Sequence, residues 1–184
     1  MRKTDTPGIE RIEPADVEAV LPLLADILID CVDGGASVSF MAPLARDKAL
    51  AFWRGVLDSA ARGERIVLAA CDAQGRVSGT VQVVLAQPEN QPHRGDVAKM
   101  LVHRHARRHG LGQALMRAAE GEALAAGKTL LVLDTASDDA ERLYARAGWV
   151  ECGRVPGYAL LPSGEPCATT FFYKTLVAAS RPAP

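Results

Sequence analysis

The most informative residues of this chain are Arg107-Arg108-His109-Gly110-Leu111-Gly112-Gln113-Ala114. They follow the β-rich segment Asp96–Val102 and open a segment with helical periodicity, Gly112–Ala126. Two glycines therefore gather at a helix N-terminus, where the first N–H groups have no partner within the helix and the helix dipole is positive. Glycine also tolerates positive φ and lets the backbone approach a ligand closely. We interpret residues 107–114, called the cradle below, as a binding site for a pyrophosphate.

Two common nucleotide-binding patterns do not match the cradle. A dinucleotide fingerprint, G-x-G-x-x-G, requires a third glycine where Leu115 stands. A nucleotide P-loop would have to end at Gly127-Lys128-Thr129, but this tripeptide closes a helix and precedes a strand. Gly127 is therefore better explained as a helix C-cap. The pattern that does fit is R-x-x-G-x-G, from Arg107 to Gly112.

A second motif follows one strand later in the chain. After the apolar segment Leu130–Asp134 comes Ala140-Glu141-Arg142-Leu143-Tyr144-Ala145-Arg146-Ala147-Gly148-Trp149. The run R-x-x-G-x-G resembles the acyl-CoA-binding signature of the GNAT superfamily of N-acetyltransferases. The second motif resembles the A-x-x-L-Y-x-x-x-G-F element of that superfamily, with Trp149 in place of phenylalanine. Because the two motifs stand in the right order around one strand, the resemblance is specific.

Hydrophobic periodicity predicts an alternation of strands and helices. We expect strands at 8–13, 65–71, 76–85, 96–102, 130–134, 149–161 and 167–176, and helices at 14–31, 46–61, 112–126 and from 138. Asp72–Gly75 is a predicted hairpin turn, and Pro22 is expected to bend or divide the first helix. The order indicates an α/β fold with a mixed sheet. The resemblance implies a mainly antiparallel central sheet with a splayed parallel strand pair, flanked by helices.

Length and composition restrict the class of protein. The 184 residues, 48% of them hydrophobic, can bury one core, so we expect a single domain over 1–184 with its core at about 8–177 and flexible ends. A net charge of −1 argues against nucleic acid or a membrane surface as partner. The first residues lack the apolar core of a secretory signal, and no apolar run approaches the ~18 residues that span a bilayer. Four scattered cysteines favour a cytoplasmic protein with reduced thiols and no metal.

The resemblance implies acetyl-CoA as the acetyl donor. The main chain of Met100, Leu101 and Val102 would hold the pantetheine, and a backbone N–H there would donate to the thioester oxygen, a contribution of about 3 kcal/mol. The pyrophosphate would lie against Arg107, Arg108, His109, Gly110, Leu111, Gly112, Gln113 and Ala114. Many relatives have asparagine where this chain has Ser137, whose hydroxyl is expected either to contact the pantetheine or to cap the next helix.

Tyr144 stands at the tyrosine position of the family motif and is the predicted general acid. A phenol with a pKa of about 10 is protonated at neutral pH and can donate to a thiolate with a pKa of about 8.5. The alternative is that Tyr144 packs in the core with its hydroxyl bonded to the backbone. Asp96 and His93, before the cradle, are the candidate general bases. The alternative for each is an exposed polar side chain.

Two further stretches, 34–41 and 90–103, resemble the branch of the superfamily that contains the tabtoxin-resistance acetyltransferase, which acetylates the amine of a small β-lactam amino acid. This resemblance implies a small-molecule amine as acceptor and a role in antibiotic or toxin resistance. Ser37, Phe40 and Trp53, with His93, are then expected to line the acceptor pocket, with ordinary packing as the alternative. A protein or peptide N-acetyltransferase and a non-catalytic acyl-CoA-binding regulatory module stay open, as does a homodimer.

Overall fold

The structure, a computed structural model, describes residues 8–71 and 76–177. Within these ranges seven strands and four α-helices follow one another, close to the predicted positions: β1 (Gly8–Arg11), α1 (Val17–Asp33), α2 (Arg46–Ala61), β2 (Arg65–Cys71), β3 (Val77–Val84), β4 (Arg94–Val102), α3 (Leu111–Ala125), β5 (Leu130–Thr135), α4 (Asp138–Arg146), β6 (Val150–Leu160) and β7 (Pro166–Thr175). The predicted hairpin turn Asp72–Gly75 and the predicted flexible ends lie outside the described residues.

The described strands form one sheet in the order β1-β2-β3-β4-β5-β7-β6. Neighbouring strands run antiparallel except for β4 and β5, which are parallel. A parallel pair needs a crossover connection, and here the cradle and α3 provide it. The predicted fold class is therefore confirmed: a mixed, mainly antiparallel sheet with one parallel pair and flanking helices.

The parallel pair is short and then separates. Strand β4 pairs with β5 only from Arg94, opposite Leu130, to Asp96, opposite Val132. It then continues for six more residues to Val102 while paired with β3 alone among the described strands. The backbone groups on the β5 side of residues 97–102 are therefore not used in the sheet. This is the splay that the resemblance implies, and we call the opening between the two strands the gap.

A bulge accompanies the gap. The register between β3 and β4 shifts, because Thr80 lies opposite Leu101 whereas Gln82 lies opposite Ala98. Between these two pairs β4 has one residue more than β3, and the bulged segment contains Lys99, whose φ is +48°. A bulge bends a strand and increases its local twist. It therefore turns the end of β4 away from β5.

Helices cover both faces of the sheet. On β2, Val67 and Ala69 pack into the cluster formed with α1 and α2, whereas the alternate residues Ile66, Leu68 and Ala70 pack into the cluster formed with α3. This alternation follows from the two-residue period of a strand. The gap therefore opens toward a layer of two helices on one side and toward α3 on the other.

Helix α1 differs from expectation at Pro22. The helix is continuous from Val17 to Asp33, so the predicted division at this residue is wrong. Pro22 removes only the bond to the carbonyl of Glu18, which lies in the first turn and is exposed to water. None of the helices in the described ranges is long and apolar enough to serve as a membrane span.

Candidate active site

The cradle presents a helix N-terminus without a side-chain cap. Gly110 occupies the N-cap position of α3 with φ +78° and brings no side-chain acceptor. The Ala114 N–H donates to the Gly110 carbonyl at 3.1 Å, which leaves the N–H groups of 111–113 pointing out of the helix. Arg108, with φ +64°, is an unusual non-glycine residue in the left-handed region. Uncapped N–H groups and a positive dipole suit the binding of an anion.

The two glycines of the cradle are needed for different reasons. A Cβ on Gly110 would have no atom within 4 Å, so its positive φ explains the glycine. A Cβ on Gly112 would lie 3.1 Å from Leu143 Cδ2 and 3.8 Å from Met100 Sδ. Gly112 therefore lets the start of α3 approach α4 and the bulge of β4 closely. The cradle, α4 and the bulge of β4 meet at this point.

Arg107 fixes the start of the cradle through contacts with neighbouring elements. Its Nε donates to the Val102 carbonyl at 3.1 Å, and its Nη2 lies 3.8 Å from Cys31 Sγ. The guanidinium therefore ties the loop to the end of β4 and to α1. Arg108 and His109 are exposed beside the helix N-terminus. All three predicted phosphate ligands are exposed, and Arg107 differs from the other two in that its guanidinium is held by Val102 and Cys31.

Asp30 fixes the turn that enters the cradle, and sequence reasoning missed it. The Arg104 backbone N–H and Nε donate to its carboxylate at 2.9 and 2.8 Å, and His103 Nδ1 lies 3.5 Å away. Burial alone would raise the pKa of Asp30, but the hydrogen bonds from Arg104 and the charge of His103 outweigh it, and the pKa is lowered. A pair of charge-assisted bonds thus sets the direction in which the chain leaves β4.

Tyr144 is buried at the wall of the gap. Only 5% of the residue is exposed, and its ring packs against Trp149 and Phe172 at centroid distances of 6.1 and 5.7 Å. Burial, followed by the charge of Asp134, raises the pKa of the phenol well above its ordinary value. The hydroxyl makes no hydrogen bond to the described residues. The proton therefore stays on Tyr144 at neutral pH, and no protein acceptor in these ranges binds it.

Ser137 holds helix α4 in place. Its Oγ accepts a hydrogen bond from the Ala140 N–H at 3.4 Å, as an N-cap residue does. The capping alternative for Ser137 is thus present in the structure. Tyr144 lies two turns further along this short helix, so the cap helps to fix the position of the phenol relative to the gap.

Lys99 and Asp134 face each other across the gap, and neither was a predicted site residue. Lys99 Nζ donates to Ser39 Oγ at 3.2 Å and lies 5.6 Å from the centre of the Phe52 ring. Burial lowers the pKa of Lys99, and the charge of Asp134 opposes this shift. The Asp134 residue is exposed, but nearby protein atoms partly desolvate its carboxyl group, and this desolvation raises the pKa of that group. The two groups are close enough to influence each other's charge.

Backbone strain marks the same region. Among the described residues, positive φ outside glycine occurs at Ser39, Lys99 and Arg108, with values of +76°, +48° and +64°. The first two are in hydrogen-bond contact, and the third lies in the cradle. Such conformations cost about 1–3 kcal/mol each and cluster at functional sites. The loop between α1 and α2 therefore contacts the bulge, and the cradle follows at the end of the same strand.

The predicted acceptor-pocket residues occupy different environments. Phe40 packs edge to face on Phe52 at 5.1 Å, near Lys99. Ser37 lies three residues earlier in the same loop and donates to the Leu160 carbonyl at 3.0 Å. Trp53 has no exposed surface and belongs to the core beneath α1 and α2. Phe52, rather than Trp53, is the aromatic residue of α2 that reaches Lys99.

The two predicted bases lie just before β4 and near its start, at the end of the strand away from the cradle. His93 is exposed, and its carbonyl accepts from the Thr129 and Leu130 N–H groups at the start of β5. Asp96 forms an ion pair with Arg94 at 3.2 Å. At ~3.3 Å per strand residue, His93 is about 23 Å and Asp96 about 13 Å from Met100. The carboxylate whose charge acts on Tyr144 is Asp134 and not Asp96. Within the described ranges, no three His, Cys, Asp or Glu side chains are grouped as metal ligands.

A sequence profile of the acetyltransferase (GNAT) family matches residues 36–149. This match covers more than half of the chain and runs from the α1–α2 loop through the cradle to the end of the tyrosine motif. The chain belongs to the GNAT acetyltransferase family. The superfamily predicted from the two motifs is thereby confirmed, and the cradle and Tyr144 both lie inside the matched region of this GNAT chain.

Relatives and solved structures are similar to this GNAT chain at lower identity. An uncharacterized N-acetyltransferase from the hisH-hisA intergenic region of Azospirillum brasilense is 34% identical over 113 residues, which are 60% of this chain and 65% of that protein. A ribosomal-protein-alanine N-acetyltransferase from Brucella melitensis is 23% identical with a TM-score of 0.75, over 92% of this chain and 99% of the other. A phosphinothricin acetyltransferase from Sinorhizobium meliloti, solved with acetyl-CoA, is 17% identical with a TM-score of 0.75, over 97% and 93%. These structures share the GNAT fold.

The role of Asp30 can be tested by its pH dependence. Asp30→Ala removes the bonds to Arg104 and should lower the free energy of unfolding in urea at neutral pH by about 1.5–3 kcal/mol. Because folding lowers the pKa of Asp30 from 3.8, its contribution is present above that value and is lost as the pH falls through the lowered pKa. The difference between wild type and variant should stay constant from about pH 7 to about pH 5 and shrink as the pH falls below 3.8.

Asp33→Ala is the matched control, since this exposed carboxylate ends the same helix. It should change the stability by less than about 0.5 kcal/mol. A stability difference for Asp30→Ala that stays constant over the pH range contradicts the role given to its carboxylate.

Proposed function

We propose that this protein transfers an acetyl group from acetyl-CoA to the primary amine of a small molecule. The observation that carries the proposal is the end of β4–β5 pairing after Asp96, directly upstream of an uncapped helix N-terminus. A narrow ligand arm fits between separated strands, and a pyrophosphate fits the helix N-terminus. Acetyl-CoA combines these two parts in one molecule. The solved neighbour with acetyl-CoA, from Sinorhizobium meliloti, supports the same choice of donor.

The chain has groups that suit each part of the donor, which supplies an acetyl thioester when bound. The backbone edge of Met100, Leu101 and Val102, where the Val102 carbonyl already accepts a hydrogen bond from Arg107, would bind the pantetheine arm and orient the thioester oxygen toward an N–H donor. The N–H groups that begin α3 would bind the pyrophosphate, with Arg108 and His109 beside them. Ser137 accepts a bond from α4 and would still have its hydroxyl hydrogen available for the arm.

In this proposal Tyr144 donates the proton that the departing thiolate needs. Its phenol is protonated, lies at the gap, and has no hydrogen-bond partner in the described ranges. The same desolvation that raises the pKa of Tyr144 also raises the proton affinity of a thiolate formed beside it. In one apolar site the pKa values of the phenol and the thiol are therefore both raised, and the phenol can still donate its proton to the thiolate.

Asp134 is the carboxylate that we propose for the acceptor amine. It faces the gap, and its charge reaches both Tyr144 and Lys99. A raised pKa makes its carboxylate a stronger base, suited to receive a proton from an ammonium directly or through water. Asp96 and His93 are the alternatives from sequence, and their distance along β4 disfavours them.

A small acceptor is supported by contacts that bridge the acceptor side of the gap. The loop between α1 and α2 is bonded to the β6–β7 hairpin through Ser37 and Leu160, and the Ala42 N–H donates to the Pro162 carbonyl at 3.1 Å. A peptide lying across this side would have to separate the two segments. A small amine would not. The likeness of 34–41 and 90–103 to the tabtoxin-resistance branch supports an amino-acid-like toxin or antibiotic as one member of this class.

The first test is binding followed by turnover. Calorimetric titration of the full chain with acetyl-CoA should show one saturable site, whereas NADH and ATP should not bind at the same concentrations. An amine panel with thiol-release detection should then give turnover on small amines in preference to peptides. Tight binding of a control nucleotide instead, or acetylation of peptides alone, would reject the proposal. Binding of acetyl-CoA without turnover on any amine would reject the catalytic part.

Tyr144→Phe tests the general acid. Removal of one hydroxyl should lower kcat by about 100-fold or more, since general acid catalysis contributes that much, while the Kd for acetyl-CoA changes little. Steady-state kinetics and calorimetry measure the two quantities. Tyr158→Phe is the control, because this residue is 56% exposed on β6 and should retain its activity. Equal kcat values for Tyr144→Phe and wild type would remove the assignment.

Asp134→Asn tests the proposed base against the two alternatives. We expect kcat/KM for the amine to fall by about 100-fold at neutral pH with unchanged acetyl-CoA affinity, because the amide cannot accept the proton. Asp96→Asn and His93→Gln should each stay within a few-fold of wild type. Loss of activity in either of these variants, with Asp134→Asn active, would transfer the role to that residue.

A further inference from the structure

Lys99 and Met100 project to opposite faces of the sheet, as successive strand residues do. Met100 Sδ lies near Gly112, at the start of α3 and the cradle. Lys99 instead reaches Ser39 in the loop between α1 and α2, and the ring of Phe52. Lys99 is therefore separated from the cradle, and its ammonium is on the side of the gap left for the acceptor.

The ammonium of Lys99 has fewer partners than those of two other lysines withdrawn from solvent. Lys128 donates to two backbone carbonyls at 2.8 Å each, and Lys174 donates to a carboxylate and a carbonyl at 2.7 Å each. Lys99 has one hydrogen bond, to the neutral hydroxyl of Ser39, and no ion pair with the described residues. An ammonium has three donors. Donors of Lys99 are therefore left for a ligand.

The surroundings of this ammonium suit a small organic acid. The edge-to-face pair of Phe40 and Phe52 forms an apolar wall beside it, and the cation lies over the second ring. In such a site an ion pair is screened less than in open water. Asp134 stands across the gap with the opposite charge. The place where the acceptor would react thus has the Lys99 cation on one side and the Asp134 anion on the other.

We propose that Lys99 determines acceptor specificity by binding a carboxylate of the amine substrate, so that the acceptor is an amino acid or a close analogue. This inference rests on the proposed function, since it names the class of amine. The single positive charge of Lys99 matches a single carboxylate, and Asp134 faces the ammonium that is to be acetylated. A zwitterion satisfies both groups, whereas an amine without an acid group leaves Lys99 unpaired.

The test compares apolar L-amino acids with their primary amides as acceptors. Within each pair the carboxylate alone is replaced, and the difference in amine basicity is the same for every enzyme variant. The ratio of kcat/KM for acid over amide should fall by about 10- to 100-fold in Lys99→Met, mainly through KM. Lys99→Arg, which keeps the charge, should retain the preference. Lys48→Met is the matched control, since Lys48 is an exposed cation 5.7 Å from the Phe40 ring.

Two outcomes overturn the inference. One is an unchanged acid-to-amide ratio in Lys99→Met, and the other is an equal loss for acids and amides. Thermal unfolding and acetyl-CoA affinity report whether the variant is folded, and Lys99→Gln provides a second uncharged variant.

Calorimetric titration of the same acids into CoA-loaded protein separates this inference from the proposed function. If no amine is acetylated, the proposed function fails. Acid binding that is lost in Lys99→Met would still support the anion site, whereas acid binding that does not need Lys99, or no acid binding, would overturn it.

Discussion

The separation of β4 from β5 after Asp96 is the constraint on which the rest of the site depends. A sheet normally satisfies its backbone groups by pairing, and unpaired polar backbone away from water is costly. Here six residues of β4 have no strand partner on the β5 side within the part of the chain that the structure describes. The bulge at Lys99 maintains the divergence, and the cradle follows where β4 ends. An interior position that would otherwise hold a strand pair thus becomes a place for a ligand with its own hydrogen-bonding groups.

The second requirement is that the cradle stays fixed while its N–H groups stay free. Side chains on the other side of the loop hold it in place through hydrogen bonds. Asp30 on α1 binds Arg104, and Arg107 binds the Val102 carbonyl, so two arginines of a basic run serve the structure. An N-cap side chain at Gly110 would have satisfied the helix N-terminus and removed the anion site. The chain therefore stabilises the loop from one side and leaves the other side open.

Sequence reasoning reached the parts of the molecule that are local in the chain. The strand, cradle and helix order, the bounds of α2 and β2 and the position of Tyr144 are encoded in short-range periodicity and motifs. The contacts it missed join distant residues: Asp30 and Arg104 are 74 positions apart, and Ser39 and Lys99 are 60 apart. No spacing rule connects such pairs. The expectation that Trp53 lines a pocket is wrong for a related reason: one helical position decides that Trp53 faces the core and Phe52 faces Lys99.

The bulge of β4 turns adjacent residues, Lys99 and Met100, toward different helical layers, and the gap consequently opens on both faces of the sheet. Under the proposed chemistry, acetyl-CoA and the amine enter the gap from opposite faces of the sheet and meet at the same point. Neither needs to leave before the other enters, and neither blocks the other's exit. In this proposal, a strand pair that opens in the middle of a sheet lets two molecules meet inside a folded chain.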